Sequence, residues 1–324
     1  MQSLDASQGV LAQHDVTAKV AGENDGYNPL TIVELADGKI VGSVRLASTR
    51  ENIVVENVQN ITGCRDLKNH SALRQRRFRM PKYRRGTALL LGAPSSDCNY
   101  YHWVIDSLPR WKIMQAANYS DYDYVLLQEG SSRFQDEFLD QLGVPASKRL
   151  HCSKKQVHQF ERLVVPAMPV LEWKVPPWSC AWLRSLFPVK KSGPEKIYIS
   201  RRNAPQRRLV NEADLEKELQ AIGFESMELE RLPIAEQAGL FSSVKCVVAP
   251  HGAGLTNLAF APPGALLVEL CASADTLPCY KNLATAAGLR YLAVIGNPAD
   301  KSVSDGKDFG VEVSTVVRAV MDNL

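Results

Sequence analysis

The segment Cys246-Val247-Val248-Ala249-Pro250-His251-Gly252-Ala253-Gly254-Leu255-Thr256-Asn257 constrains the fold more than any other stretch of this 324-residue chain. A short apolar run reads as a buried strand. Pro250 and His251 turn the backbone, Gly252 and Gly254 keep it tight, and the apolar stretch from Leu255 to Phe260 continues as a helix. Glycines at a strand-to-helix turn let backbone N–H groups approach an anion closely, and the first turn of the helix adds partial positive charge. The segment therefore implies one strand–helix unit of an α/β fold and, at its corner, a bound anion such as a phosphate.

The neighbouring sequence repeats that pattern. Ile197–Ser200, Ser226–Leu229, Cys246–Ala249, Ala265–Leu270 and Tyr291–Ile295 read as strands. Between them, Leu215, Leu219 and Ile222 share one helical face after Asn211, a good N-cap, and Ile234–Phe241 and Tyr280–Ala287 also read as helices. Strands alternating with helices at short spacing predict a parallel sheet covered on both faces. The first half is less regular. Thr31–Leu35, Lys39–Leu46 and Asn52–Val58 are β-like, with Asp37-Gly38 as a hairpin signal, and Thr87–Leu91, Tyr124–Gln128 and Arg162–Val165 are further strands around helices at His102–Ala117 and Arg133–Leu142.

At this length two domains are expected. Residues 1–30 lack periodicity and read as an arm, 31–178 as a first α/β domain, and 196–310 as a second. Residues 179–195 read as a linker, within a segment from 166 to 194 that carries Pro166, Pro169, Pro176, Pro177, Pro188 and Pro194, and 311–324 reads as a terminal helix.

Composition excludes several classes. No apolar run approaches a membrane span, and Met1–Val20 lacks the basic start and apolar core of a secretory signal. A cytoplasmic protein is expected. Seven cysteines are scattered without a CxxC pair, which predicts reduced thiols rather than a zinc or redox motif. Net charge is only +3, yet nine Lys/Arg stand against Asp66 alone between Arg65 and Arg85. That run reads either as a solvated basic loop or as a surface for an anionic acceptor or the inner membrane face. No nucleic-acid module accompanies it, so nucleic acid is not an expected partner.

Several side chains carry candidate chemistry. Arg201 and Arg202 follow the strand ending at Ser200, at the same end of the sheet as His251, and an Arg fork suits phosphate oxygens. Neighbours on a strand point oppositely, so one of the two should face the ligand. Arg207 and Arg208 add to the field. Arg201 and Arg202, together with His251, Gly252, Ala253, Gly254, Thr256 and Asn257, form the predicted phosphate cradle. Glu269, at the end of the next strand, reads as a partner for ribose hydroxyls or as an edge charge. His102 and Asp106 lie four apart on one helical face, an arrangement that suits a general base oriented by its neighbour and also occurs as a structural pair. No G-x-S-x-G elbow is present to make His251-Gly252-Ala253-Gly254 an esterase oxyanion hole, and no P-loop or G-x-G-x-x-G occurs. Asp121-Tyr122-Asp123 precedes its strand, which reads as a loop leading into that strand rather than as a metal motif.

Three segments taken together, His102-Trp103-Val104-Ile105-Asp106-Ser107-Leu108-Pro109-Arg110-Trp111, Lys196–Glu212 and Val247–Leu270, resemble glycosyltransferase family 61, including bacterial members labelled capsular polysaccharide biosynthesis proteins. The resemblance covers Tyr100–Trp111 and Lys196–Leu270. It implies a GT-B architecture, with two Rossmann-like domains and a cleft between them. It also implies inverting transfer from a UDP-sugar to a glycan or lipid-linked acceptor, with no metal and no other cofactor. By position, Arg201 and the His251–Asn257 turn would hold the diphosphate, and Asp106, with His102 as partner or substitute, would be the base on the acceptor side. Two alternatives remain open: a GT-B-like transferase with a non-sugar donor, such as a pyruvyl transferase, and a non-catalytic polysaccharide-assembly protein.

Overall fold

The computed structural model describes residues 3–5, 16–20, 30–42, 46–56, 80–93, 95–96, 98–130, 132–170, 172–188, 193–298 and 308–324. The chain divides into two compact units, Met1–Glu172 and Trp173–Leu324.

Unit 1 contains β1 (Ser3–Asp5), β2 (Val16–Val20), β3 (Thr31–Ala36), β4 (Lys39–Val41), β5 (Leu46–Ser48), β6 (Val54–Glu56), β7 (Lys82–Leu90), β8 (Tyr124–Gln128), β9 (Arg149–Cys152) and β10 (His158–Pro166). They form one mixed sheet. β10, β7, β8 and β9 run parallel, while β10 pairs antiparallel with β3 and β4 on its other side. The hairpin expected at Asp37-Gly38 does not form: β3 and β4 run in the same direction along β10 in one register, and Asp37, at φ +51°, and Gly38 stay in that ladder, Asp37 N donating to Glu161 O at 3.0 Å and Phe160 N to Gly38 O at 2.9 Å. Gly38 is required by a close approach, since a Cβ there would lie 2.7 Å from Leu163 Cβ on β10. The expected strand Lys39–Leu46 is in fact two antiparallel strands, β4 and β5. The region expected as an unstructured arm contributes β1, parallel to β6, and β2, antiparallel to β3. Backbone pairing needs no apolar periodicity, so the sequence pattern missed both. α2 (Arg133–Gln141) opens on Ser132, whose N–H donates to Gln135 Oε1 at 2.9 Å.

Unit 2 carries a five-stranded, wholly parallel sheet of β11 (Lys196–Ile199), β12 (Glu225–Met227), β13 (Cys246–Pro250), β14 (Leu266–Cys271) and β15 (Arg290–Ile295), in the order β12-β11-β13-β14-β15. Every residue of β13 and β14 is buried, as a sheet covered on both faces requires. On one side Leu215 and Leu219 of α4 (Glu212–Ala221) meet Val316 and Val320 of the terminal helix Val313–Met321, so that helix belongs to this unit's core. Each such fully buried side chain contributes about 1.5–3 kcal/mol.

Two local expectations change. Pro177 is the first residue of a helix, Pro177–Leu186, inside the segment read as a linker; proline's fixed φ suits a helix start, and Cys180 and Leu183 are buried. Asn211 does not cap α4 with its side chain. It exchanges hydrogen bonds with the Val311 backbone, donating to Val311 O at 2.8 Å and accepting from Val311 N at 3.2 Å. Among the described residues no helix is long and apolar enough to cross a membrane.

Candidate functional site

The strand order of unit 2 reverses between β11 and β13, and in open parallel sheets ligands bind at the carboxyl ends of the two strands flanking such a reversal. Those ends are Ser200-Arg201 and His251-Gly252. Glu212 fixes the first, its Oε1 accepting from Tyr198 OH at 2.9 Å and from Arg201 N at 3.0 Å. The Arg201 side chain then crosses to the turn after β13. A Cβ on Gly252 would lie 2.0 Å from Arg201 Nη1, so only glycine leaves room for the guanidinium. Gly252 itself is extended, at φ 176°, and its need for glycine is one of space.

The guanidinium of Arg201 donates to the carbonyls of Gln206 at 2.9 Å and Arg207 at 3.3 Å. Burial, then the charge of Arg207, push its pKa below the ordinary value for arginine. The turn runs into a 3₁₀ helix, Ala253–Phe260, whose first internal acceptor is Gly252 O, taken by Leu255 N. Among the described residues the N–H groups of Gly252, Ala253 and Gly254 meet no acceptor in the chain. His251 Nδ1 donates to Glu269 Oε1 at 2.5 Å, and Tyr291 OH donates to Glu269 Oε2 at 2.8 Å. With Nδ1 committed, Nε2 is the ring nitrogen left for another partner. His251 lines a cavity of about 230 Å³ with Gln206, Arg207 and Thr276 as polar neighbours and Leu277 and Phe309 as apolar ones.

In unit 1, residues His102–Ser107 form a π-helical turn leading into α1 (Leu108–Ala116). Such turns are rare and recur at functional sites. The turn sets His102 Nδ1 2.6 Å from Asp106 Oδ2, with Asp106 buried and His102 reaching the surface. Arg110, wholly buried, donates to Gly92 O at 2.8 Å, and burial lowers its pKa to about 10, against the opposing charge of Asp106.

Comparison with known proteins decides the family. The profile of Glycosyltransferase 61 matches residues 100–268, which takes in both the π-helical turn and the β13 corner. The chain belongs to glycosyltransferase family 61. Over 97 residues it is 37% identical to an EGF domain-specific O-linked N-acetylglucosamine transferase of Drosophila melanogaster, covering 29% of this chain and 18% of that protein. Over 107 residues it is 28% identical to the protein of the same name from Gallus gallus, covering 32% and 20%. The matched part therefore spans about a fifth of those relatives' lengths.

Within this family 61 chain, the expected site residues divide. Arg201, His251, Gly252, Ala253 and Gly254 meet at one corner. Arg202 points elsewhere: its Nη2 donates to both oxygens of Glu216 on α4 at 2.5 Å. Thr256 and Asn257, expected at the ligand, are fully buried because the 3₁₀ helix turns them inward. Asn257 Nδ2 donates to Gln237 Oε1 at 2.7 Å and Gly254 O at 3.2 Å, so it pins the turn instead. Glu269, expected at a ribose, is 1% exposed with both oxygens taken, and serves His251. Asp123 Oδ2 accepts from Thr87 N at 2.8 Å, in keeping with its reading as a loop residue. Of the basic run, Arg65, Lys68, Arg74, Arg76, Arg77 and Arg79 lie outside the described residues. Lys82, Arg84 and Arg85 stand on β7, where Arg84 Nη1 donates to His158 Nδ1 at 3.0 Å. Sequence reasoning missed Glu212, Tyr280 and Tyr291, whose partners are remote in the chain. The His251 ring packs edge-on to Tyr280 with centroids 4.9 Å apart.

Proposed function

We propose that this glycosyltransferase is an inverting enzyme of GT-B architecture that takes its sugar from a UDP-sugar. The carrying observation is the Arg201–Gly252 approach at the strand-order reversal, beside three backbone N–H groups without acceptors. A diphosphate is the leaving group that such a corner suits. It gains negative charge as the glycosidic bond breaks, and fixed N–H donors and a guanidinium stabilise that charge without reorganising. In this reading they stand in for a metal. The names of the two relatives make UDP-N-acetylglucosamine the first donor to test.

Acceptor activation is assigned to His102 and Asp106. A base removes the proton of an acceptor hydroxyl, that oxygen attacks the anomeric carbon from the face opposite the diphosphate, and UDP departs. Asp106 is the more buried of the pair, which favours His102 as the group that meets the hydroxyl and Asp106 as the group that orients it. The acceptor is proposed to be a glycan, free or lipid-linked.

The test is UDP binding followed by thermal shift and calorimetry, with EDTA present throughout. UDP should stabilise the wild-type chain, and Arg201→Ala should weaken UDP by at least about tenfold. Absence of any UDP effect on the wild type would point instead to a non-sugar donor, and unchanged affinity in Arg201→Ala would remove the clamp.

A further inference from the structure

Four arginines stand between positions 201 and 208, and the structure sorts them into two kinds. Arg202 is held by Glu216, and Arg208 by Asp308, to which its Nε and Nη2 donate at 2.9 and 2.6 Å. These two charges are neutralised within the protein. Arg201 and Arg207 are not: among the described residues neither has a carboxylate within ion-pair distance. Arg207 goes further. Its Nε is buried with no hydrogen-bond acceptor, and no side-chain bond is made by its terminal nitrogens among the described residues. A buried N–H left without an acceptor is a standing cost to the fold. Its backbone sits in the left-handed region at φ +58°, a conformation that non-glycine residues adopt at a cost and that recurs at ligand sites. Arg207 lines the same cavity as His251, and its own carbonyl accepts from Arg201 Nε.

Burial and the charge of Arg207 both disfavour the charged guanidinium of Arg201, and with no carboxylate ion-paired to either arginine among the described residues, a bound anion would remove that cost. We propose that Arg207 is the second cation of the anion site, placed so that the site takes a doubly phosphorylated group and discriminates against a single phosphate. This deepens the donor reading above and rests on it for the nucleotide, but not for the pyrophosphate group itself. The cavity agrees with a partial role. At about 230 Å³ it is smaller than the roughly 300–1,000 Å³ of pockets that enclose a whole drug-sized ligand. It fits one charged portion of a ligand, with Arg207 and His251 on the polar side and Leu277 and Phe309 on the apolar side.

The experiment is calorimetric titration of the full chain with UDP, UMP, inorganic pyrophosphate and orthophosphate, comparing wild type with Arg207→Gln and Arg207→Lys. Wild type should prefer UDP over UMP, and pyrophosphate over orthophosphate, by at least about tenfold. In Arg207→Gln both preferences should fall by at least about fivefold through loss of the diphosphate ligand, with UMP affinity within about twofold of wild type; Arg207→Lys should fall between. The unliganded melting temperature of Arg207→Gln should be equal to or above wild type, because a like-charge contact and an unpartnered N–H are both removed. A lower melting temperature would make Arg207 a structural residue and overturn the proposal, as would an unchanged UDP-to-UMP ratio. The two readings fail separately. Pyrophosphate selectivity that depends on Arg207, with no gain from uridine, keeps this inference and removes the UDP-sugar reading. Tight UDP binding lost in Arg201→Ala and kept in Arg207→Gln does the reverse.

Discussion

The guanidinium of Arg201 lies so close to Gly252 that a single added methyl group would sit 2.0 Å from Nη1. Two residues 51 positions apart in the chain are thereby tied into one feature, a cation laid along the backbone of the turn after β13.

Gly252→Ala separates binding from folding. The atom that must move is the far end of a flexible side chain, and the backbone at 252 is extended and tolerates alanine. Stability should change by less than about 1 kcal/mol. UDP affinity should fall at least about tenfold as the guanidinium is pushed off the turn. Urea denaturation and calorimetry on the same protein read both quantities. A large loss of stability with intact UDP binding would show that Arg201 at this contact serves only the fold.

Glu269→Gln tests the support behind His251. Glu269 offers two acceptors, and His251 Nδ1 and Tyr291 OH use both. Glutamine offers one acceptor and one donor, so one buried partner loses its bond at a cost of about 1–3 kcal/mol. Denaturation should register that loss, and nitrogen NMR of the imidazole should show the ring's protonation pattern altered. An unchanged imidazole spectrum in the variant would mean that the carboxylate does not set the state of the ring.

Asp106→Asn should lower transfer by at least about a hundredfold while leaving UDP affinity at the wild-type value. His102 keeps its place on the π-helical turn, but the 2.6 Å contact loses the charge that orients its ring. Turnover close to wild type would show that the Asp106 charge does not orient the base.

His158 makes the stability of unit 1 dependent on pH. Burial first, then Arg84 and Lys82, lower its pKa to about 4, and its Nδ1 accepts from Arg84. In the unfolded chain the pKa returns to about 6.5. Between those values the unfolded chain holds a proton that the folded chain does not, so this contribution is complete above about pH 6.5, falls as the pH drops, and levels off below about pH 4. Urea midpoints at pH 7 and 4.5 should therefore differ more for wild type than for His158→Gln. Equal differences would show that His158 protonates freely in the folded state.

Local sequence already dictated much of unit 2. Apolar runs bounded by turn residues marked its strands, β-to-helix alternation implied a parallel sheet, and Pro250 to Gly254 marked the corner. These are near-neighbour effects, and a single stretch of chain contains all the information they need. The hydrophobic period also fixed β8 and the helix that follows it. It could not reveal β1 and β2, which are held by backbone pairing, or the helix that starts at Pro177, where the same proline signals a break or a beginning depending on what packs beneath it.

The same division holds at the candidate site. Sequence determined that an Arg-Arg pair follows one strand and a His-Gly corner follows another. Tertiary structure decided which arginine serves the corner, because Glu216 on α4 claims Arg202 and leaves Arg201 to Gly252. It turned Thr256 into the interior, and it committed Asn257 to Gln237 and Glu269 to His251 and Tyr291, partners that come from other elements. It also set Arg207 apart, with a buried Nε that meets no acceptor. Whether a charge is spent or free depends on partners far away in the chain, and only folding brings those partners into range.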